Sequence, residues 1–212
     1  MFTGLISEIG KVDRLARAGT SGRLTVLAPR TAGHLRPGDS VATAGACLTV
    51  ETVSGERYTS SVITETFAAT RLGTLRRGDK VNLELPVGPQ GVFGGHLVSG
   101  HVDTVGWVRK IHRVADAGKI TVAYPPAFDN WVVDKGSIAL DGVSLTIAEV
   151  GRGEITVGVI PTTWAETTLG LLKVGDEINI EFDQAIKVVA KARTTMMKNS
   201  GLTEEGLLRA GW

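Results

Sequence analysis

The chain has 212 residues, 42% of them hydrophobic and 21% charged, with a formal net charge of +1. That balance is of a soluble globular protein with room for one large domain or two of about 100 residues, and it carries no electrostatic footprint for nucleic acid or an anionic membrane surface. No apolar run approaches the roughly 20 residues needed to span a bilayer, and the start, Met1-Phe2-Thr3-Gly4-Leu5, lacks a signal-peptide pattern. A single cysteine, Cys47, excludes an intrachain disulfide and a cysteine-only metal site. A cytoplasmic protein is expected.

In chain order, strand-like segments fall near residues 4–16, 23–28, 40–42, 47–53, 57–63 and 80–85. Several alternate apolar and polar residues, as in Leu48-Thr49-Val50-Glu51-Thr52-Val53, the pattern of a strand with one buried face. Ser54-Gly55-Glu56 suits a hairpin turn and Arg77-Gly78-Asp79 a turn before the last strand. A short helical stretch is expected near residues 68–72. A Gly- and Pro-rich linker, residues 87–95, follows.

Beyond the linker the chain repeats itself. Residues 40–86 and 137–183 align without a gap, with 19 of 47 positions identical, among them Gly45/Gly142, Leu48-Thr49/Leu145-Thr146, Ile63/Ile160, Thr66/Thr163, Asn82/Asn179 and Glu84/Glu181. Upstream, Thr3-Gly4 faces Ser99-Gly100 and Pro29 faces Pro125. Chance does not produce that agreement, and two copies near 96 residues mean two domains of one fold, not a solenoid. Six short strands per copy must hide their edges, and closure into a small barrel does so. The expected fold is all-β: two tandem homologous six-stranded antiparallel Greek-key barrels, residues 1–93 and 94–185. A C-terminal helix spans 184–198 (the oligomerisation segment, 186–200), and the tail, 201–212, is expected to be loosely ordered. The helix carries apolar residues at Ile186, Val189, Ala190 and Met197 without an obvious partner in either barrel, which points to a subunit interface.

The segments Met1-Phe2-Thr3-Gly4, Gly45-Ala46-Cys47-Leu48-Thr49-Val50, Gly94-Gly95-His96-Leu97-Val98-Ser99-Gly100-His101-Val102-Asp103, Asp141-Gly142-Val143-Ser144-Leu145-Thr146 and Ile160-Pro161-Thr162-Thr163 resemble the signature segments of riboflavin synthase. The resemblance covers about residues 1–190. It implies a homotrimer of two-barrel subunits with a helical stalk, one 6,7-dimethyl-8-ribityllumazine per barrel, and an active site between the N-terminal barrel of one subunit and the C-terminal barrel of a neighbour. It implies transfer of a four-carbon unit between two lumazines, with no cofactor and no metal, because the C7 methyl of the substrate is itself acidic. Carried over residue by residue, Cys47, Ser40 and His101 become candidates for proton handling at the N-terminal barrel. Ser144, Lys135, Asp141, Thr146 and Asp183 are their C-terminal counterparts. Thr49, Ile63 and Thr66, with Thr146, Ile160 and Thr163, would line the pockets. Phe2, Gly4, His96 and Val102 would lie against substrate.

Plainer readings stand beside these. Cys47 suits a small buried hydrophobe, Phe2 core packing, Asp141 before Gly142 a turn former, and the threonines ordinary strand residues. A non-catalytic lumazine- or flavin-binding protein of the same fold is the alternative function. The two copies differ where distinct donor and acceptor roles would require it: Cys47 faces Ser144, Ala44 faces Asp141, Asp39 faces Gly136 and His101 faces Leu5. Two departures from the family stand out. Ala44 occupies a position where Asn is common, and Arg71 replaces a small polar residue. Loss of the amide at 44 is expected to weaken a hydrogen bond to substrate.

Overall fold

A computed structural model of the chain describes residues 1–88, 91–114 and 117–200, with the side chains of residues 114 and 197–200 outside the description. The expected tail and the side chain of Met197 therefore lie outside the described residues. The N-terminal barrel comprises β1 (Glu8–Ala18), β2 (Ser21–Leu27), β3 (Ser40–Thr43), β4 (Ala46–Ser54), β5 (Arg57–Val62) and β6 (Lys80–Glu84), closed in the order β1-β2-β5-β4-β3-β6. Its copy comprises β7 (Thr104–Val114), β8 (Ala117–Ala123), β9 (Ser137–Leu140), β10 (Val143–Gly151), β11 (Glu154–Val159) and β12 (Glu177–Phe182), closed in the corresponding order. Every pairing is antiparallel. In each barrel three hairpin-connected strands are followed by one that returns beside the first of them, which is the Greek key. Corresponding bulges interrupt the long strands in both copies, at Val12/Arg14 and Val108/Lys110 and again at Val50/Thr52 and Ile147/Glu149. They add the local twist that lets six strands close.

The alternation in β4 and β10 decides which face meets solvent. Leu48 and Val50, like Leu145 and Ile147, point into the barrel, while Cys47, Thr49, Ser144 and Thr146 lie on the outer face. Each barrel is thus filled by its own apolar side chains, and anything it binds must bind outside.

The short helices begin earlier than the sequence pattern suggests. α1 spans Thr64–Ala69 and α2 spans Pro161–Glu166, where Pro161 opens its helix without losing a needed N–H. Of the residues expected to be helical, 68–69 close α1 and the rest lead into a 3-10 turn, Arg71–Thr74, matched by Thr168–Leu171 in the second copy, each started by a threonine hydroxyl (Thr70, Thr167) accepting a backbone N–H. α3 (Gln184–Ser200) leaves the second barrel directly after β12. Its first turn is tied down by Lys187, whose ammonium meets the Asp103 carboxylate at 2.9 Å and lies 5.8 Å from the centre of the Trp131 ring. Val188, Val189 and Met196 remain exposed.

The barrels exchange their leading segments. Thr3 and Gly4 are gripped by Glu84, which accepts from Thr3 N–H, Thr3 Oγ1 and Gly4 N–H at 2.7–2.9 Å, and from there Gly4 O accepts the N–H of Ser144 in the other barrel. Correspondingly Glu181 grips Ser99 and Gly100, and Gly100 O accepts the N–H of Cys47. Ile6 packs on the second core and Val102 on the first. Phe2 and Val98 form an antiparallel bridge between the two leaders. Gly4 and Gly100 sit at φ +77° and +82°, and a Cβ on either would come within 2.5 Å of the Ser144 or Cys47 Cβ. Only glycine allows this approach.

The two hairpin tips also meet. Ala44-Gly45 and Asp141-Gly142 are two-residue turns with both φ values positive, 48°/81° and 45°/81°, the type I′ geometry that favours Asn or Asp at the first position. Gly45 and Gly142 abut, a Cβ on one reaching within 3.0 Å of the other's backbone. Ala44 is wholly buried in this seam, so the expected link between residue 44 and a substrate hydrogen bond is corrected: the position is a turn tip, and Asn suits it because Asn tolerates a left-handed backbone. Ala44→Asn is therefore expected to raise stability by about 1 kcal/mol, read as an upward shift in the denaturation midpoint. An unchanged or lowered midpoint would refute this account of the tip.

Candidate functional site

A cleft of about 720 Å³ opens on the outer face of the β9–β10 hairpin, within the size range of small-molecule sites. Ser137 and Thr146 pair across the hairpin and Ser144 follows the tip, so the floor presents three hydroxyls. Lys135, Ile160 and Thr163 stand around it, and Leu5 with residues 94–96 closes one side. Ile160 is 63% exposed and its repeat Ile63 57%. A large apolar side chain left open at the same place in both copies suits a flat ring system. The N-terminal barrel builds the equivalent face from Ser40 paired with Thr49, and from Cys47, Ile63 and Thr66.

His96 carries the sharpest chemistry. Its Nδ1 lies 2.7 Å from Ser144 Oγ, and its backbone N–H also reaches that oxygen at 3.3 Å. Its Nε2 is buried with no protein partner among the described residues. Burial holds the imidazole below its ordinary pKa, against a smaller opposing pull from the Asp183 charge. A neutral imidazole beside a hydroxyl can take up a proton. His101 is exposed and follows Gly100, whose carbonyl accepts the Cys47 N–H, and its own backbone N–H lies on Ser99 Oγ at 3.2 Å.

The remaining candidates separate. Lys135 is exposed at the cleft rim with φ +60°, where the first copy has Gly38 at φ +94°. A lysine kept in a conformation that favours glycine is backbone strain at the cleft rim. Lys135→Gly is expected to stabilise the fold by up to about 1 kcal/mol while weakening ligand binding in the cleft; titration and denaturation of the same variant check both. Asp183 caps α3, accepting the Ala185 N–H at 2.8 Å, and influences the cleft through its charge on His96. Thr66 and Thr163 accept the hydroxyls of Thr70 and Thr167 with their carbonyls, leaving their own hydroxyls free of that duty.

Two candidates are corrected. Phe2 is fully buried in an apolar cluster with Ala42, Val98 and Ala139, against which Cys47 packs, so it supports Cys47 from behind and does not face the cleft. Asp141 is wholly buried at the hairpin tip and its carboxylate is taken by Arg71, with Nε and a terminal nitrogen at 2.6–3.2 Å. It is a turn former and an ion-pair partner, not a group open to substrate. Glu84, Glu181, Asn82 and Asn179 were not among the candidates although all four repeat; they read as outward polar positions on short strands, yet they are buried, the asparagines against the other barrel and the glutamates beneath the leaders they grip. Burial raises both glutamates above the usual carboxylate range, although the leader N–H and hydroxyl donors pull them back down.

Residues 3–86 and 99–183 each match the lumazine binding domain family. Fold and site thus define a protein with a duplicated lumazine-binding domain. The riboflavin synthase of Bacillus amyloliquefaciens is 41% identical over 183 residues, 86% of this chain and 85% of that one. That of Bacillus subtilis (strain 168) is 36% identical over 210 residues, 99% and 97% of the two chains. That of Mycobacterium tuberculosis (strain ATCC 25618 / H37Rv) is 38% identical over 205 residues, 95% and 100%. The chain belongs to the riboflavin synthase family. Crystal structures of LumP complexed with 6,7-dimethyl-8-(1'-D-ribityl) lumazine and with riboflavin share its fold, with TM-scores of 0.78 and 0.80 at 24% identity, covering 85% and 86% of this chain and 98% and 99% of those.

Proposed function

We propose that the chain is a riboflavin synthase, a transferase that converts two molecules of 6,7-dimethyl-8-ribityllumazine into one riboflavin and one 5-amino-6-(ribitylamino)uracil. The observation that carries the reading is a pair of homologous ligand faces in one chain, alike in Ser40/Ser137, Thr49/Thr146 and Ile63/Ile160 and unlike where the reaction needs difference, at Cys47/Ser144 and His101/Leu5. Two identical substrates must meet in opposite roles, and two related pockets supply that proximity and orientation. The donor gives up its C6–C7 unit with both methyls, and the acceptor builds the new ring with it. The C7 methyl proton is acidic because its anion delocalises into the ring, so the protein has only to orient, accept a proton and stabilise charge. His96 with Ser144 would do so at the C-terminal cleft, assisted by Lys135; Cys47, His101 and Ser40 would serve the N-terminal face. Thr49, Thr66, Thr146, Thr163 and the two isoleucines would hold ring and ribityl chain.

Complete turnover would join the N-terminal face of one subunit to the C-terminal cleft of another in a cytoplasmic homotrimer. The exposed Val188 and Val189 on α3 support that assembly. No described helix is long and apolar enough to cross a membrane. Purified protein mixed with 6,7-dimethyl-8-ribityllumazine alone should yield one riboflavin per two substrates consumed. Binding with altered fluorescence but no riboflavin would leave a lumazine-binding relative instead. Val188→Glu combined with Val189→Glu is expected to give monomers that bind lumazine and make at most about a hundredth of the riboflavin, the scale of lost proximity. Trimers of undiminished activity in sedimentation would refute the role of α3.

A further inference from the structure

The seam between the barrels is symmetric in its backbone and asymmetric in its charge. On both sides the turn-tip carbonyl is held by an asparagine from the other barrel: Asn179 Nδ2 donates to Ala44 O at 2.8 Å and Asn82 Nδ2 to Asp141 O at 3.0 Å. On both sides the asparagine oxygen accepts the N–H that opens the opposite 3-10 turn, Arg71 N–H to Asn179 Oδ1 and Thr168 N–H to Asn82 Oδ1. Here the likeness ends. Arg71 extends from the N-terminal barrel to the Asp141 carboxylate with its Nε and one terminal nitrogen, the side chains 14% and 0% exposed. The same carboxylate accepts the Asn179 N–H at 3.0 Å. Across the pseudo-twofold axis Thr168 replaces Arg71 and Ala44 replaces Asp141. The Thr168 hydroxyl is buried there without a partner among the described residues. One hairpin tip is bolted to the opposite barrel by charge-assisted bonds, and its twin is not.

The bolted tip belongs to the hairpin that carries Ser144. Ser144 is three residues from Asp141, one residue beyond the start of β10 after the turn, and the pairing of β9 with β10 runs unbroken from Val143 to Thr146. The bulge that could absorb a displacement comes later, at Ile147/Glu149. A shift of the tip therefore moves Ser144 Oγ with it, against a His96 held by a different segment at 2.7 Å.

We propose that Arg71 is a positioning residue for the C-terminal cleft, acting through Asp141 to set Ser144 Oγ opposite His96. It touches no substrate. The inference rests on the reading of this cleft as a lumazine site, and it places the two departures from the family, Arg71 and Ala44, in one device. The device holds one ligand face more rigidly than the other.

The experiment compares the full-length wild type with Arg71→Thr/Asp141→Ala and with Arg71→Lys. The double variant copies the Thr168/Ala44 arrangement that the other side of the same protein already folds with, so its melting temperature should stay near that of the wild type. Arg71→Lys keeps the charge but cannot supply two parallel bonds. Riboflavin formation, normalised to folded protein, should fall about tenfold or more in kcat for the double variant and by less for Arg71→Lys, with KM little moved, because misplacement by a fraction of an ångström acts on chemistry more than on binding. A merely structural tie would lower the melting temperature and leave kcat per folded molecule unchanged. Wild-type kcat in either variant overturns the proposal for Arg71 and leaves the riboflavin synthase reading intact. A wild type that binds lumazine and makes no riboflavin overturns that reading instead, whatever the variants do.

Discussion

Asp141→Asn is expected to lower the stability of the protein by about 3–5 kcal/mol, the scale of removing one partner of a buried ion pair. Asparagine is chosen because it keeps the turn: it accepts the left-handed backbone at φ +45° as readily as aspartate, and its amide oxygen can still accept the Asn179 N–H. What it removes is the paired charge facing Arg71, whose side chain is 14% exposed and would keep only the more distant charges of Asp79 and Glu177. The pair's own net worth is smaller than this, since desolvation of two charges offsets most of their attraction. The paired removal, Arg71→Thr with Asp141→Ala, should therefore cost much less than Asp141→Asn alone. That non-additivity is the signature of a direct interaction. Chemical denaturation of the three proteins measures it. A loss below about 1 kcal/mol for Asp141→Asn, the size of an exposed pair, would mean that water reaches the seam in solution.

The sequence made much of the fold legible because the strongest signals were local and doubled. Alternation in residues 48–53, glycine at the hairpin turns and a gapless repeat together require two similar sheet domains, and the short strands require closure. The site was half legible for a different reason. Cys47/Ser144 and His101/Leu5 stand out as differences between copies that otherwise agree. What a single sequence does not display is which polar residues another barrel will cover. Asn82 and Glu84 alternate with Val81 and Leu83 in β6 as solvent-facing residues would, yet both are buried, Asn82 against the other barrel and Glu84 beneath the Thr3-Gly4 leader. Arg71 and Asp141 are 70 residues apart, a separation no periodicity connects. In the sequence Arg71 stands out only as a departure from the family and Asp141 as a candidate acid at the substrate, whereas in the structure they pair with each other. Phe2, expected against substrate, is buried with Ala42, Val98 and Ala139, which is the plainer core-packing reading. The short helices lie earlier than expected because Thr70 and Thr167 are extended and start new 3-10 turns.

His96→Gln is expected to reduce kcat about a hundredfold or more, the lower range for loss of a general base, while the protein folds and still binds lumazine. Glutamine can place an amide near Ser144 Oγ but has no titratable nitrogen. The pH dependence follows from the sign of the shift. Burial lowers the His96 pKa in the folded state below its unfolded value, so the neutral imidazole's contribution to stability is fully present above the ordinary imidazole range and is lost as pH falls through the folded-state pKa. The buried glutamates Glu84 and Glu181 work with the opposite sign. Their folded-state pKa values are raised, so their contribution is fully present below the ordinary carboxylate range and is lost as pH rises through the folded values. The difference between wild type and His96→Gln cancels the glutamates and isolates the histidine. In that difference the wild type should gain stability as pH rises from about 5 to 7, in the window just below the unfolded histidine pKa, and the variant should not. The acid limb of kcat/KM should likewise lie below the usual imidazole pKa in the wild type and disappear in the variant. An acid limb unchanged by His96→Gln would assign proton uptake to another group. His101, the other histidine on the same segment, would be the first to replace.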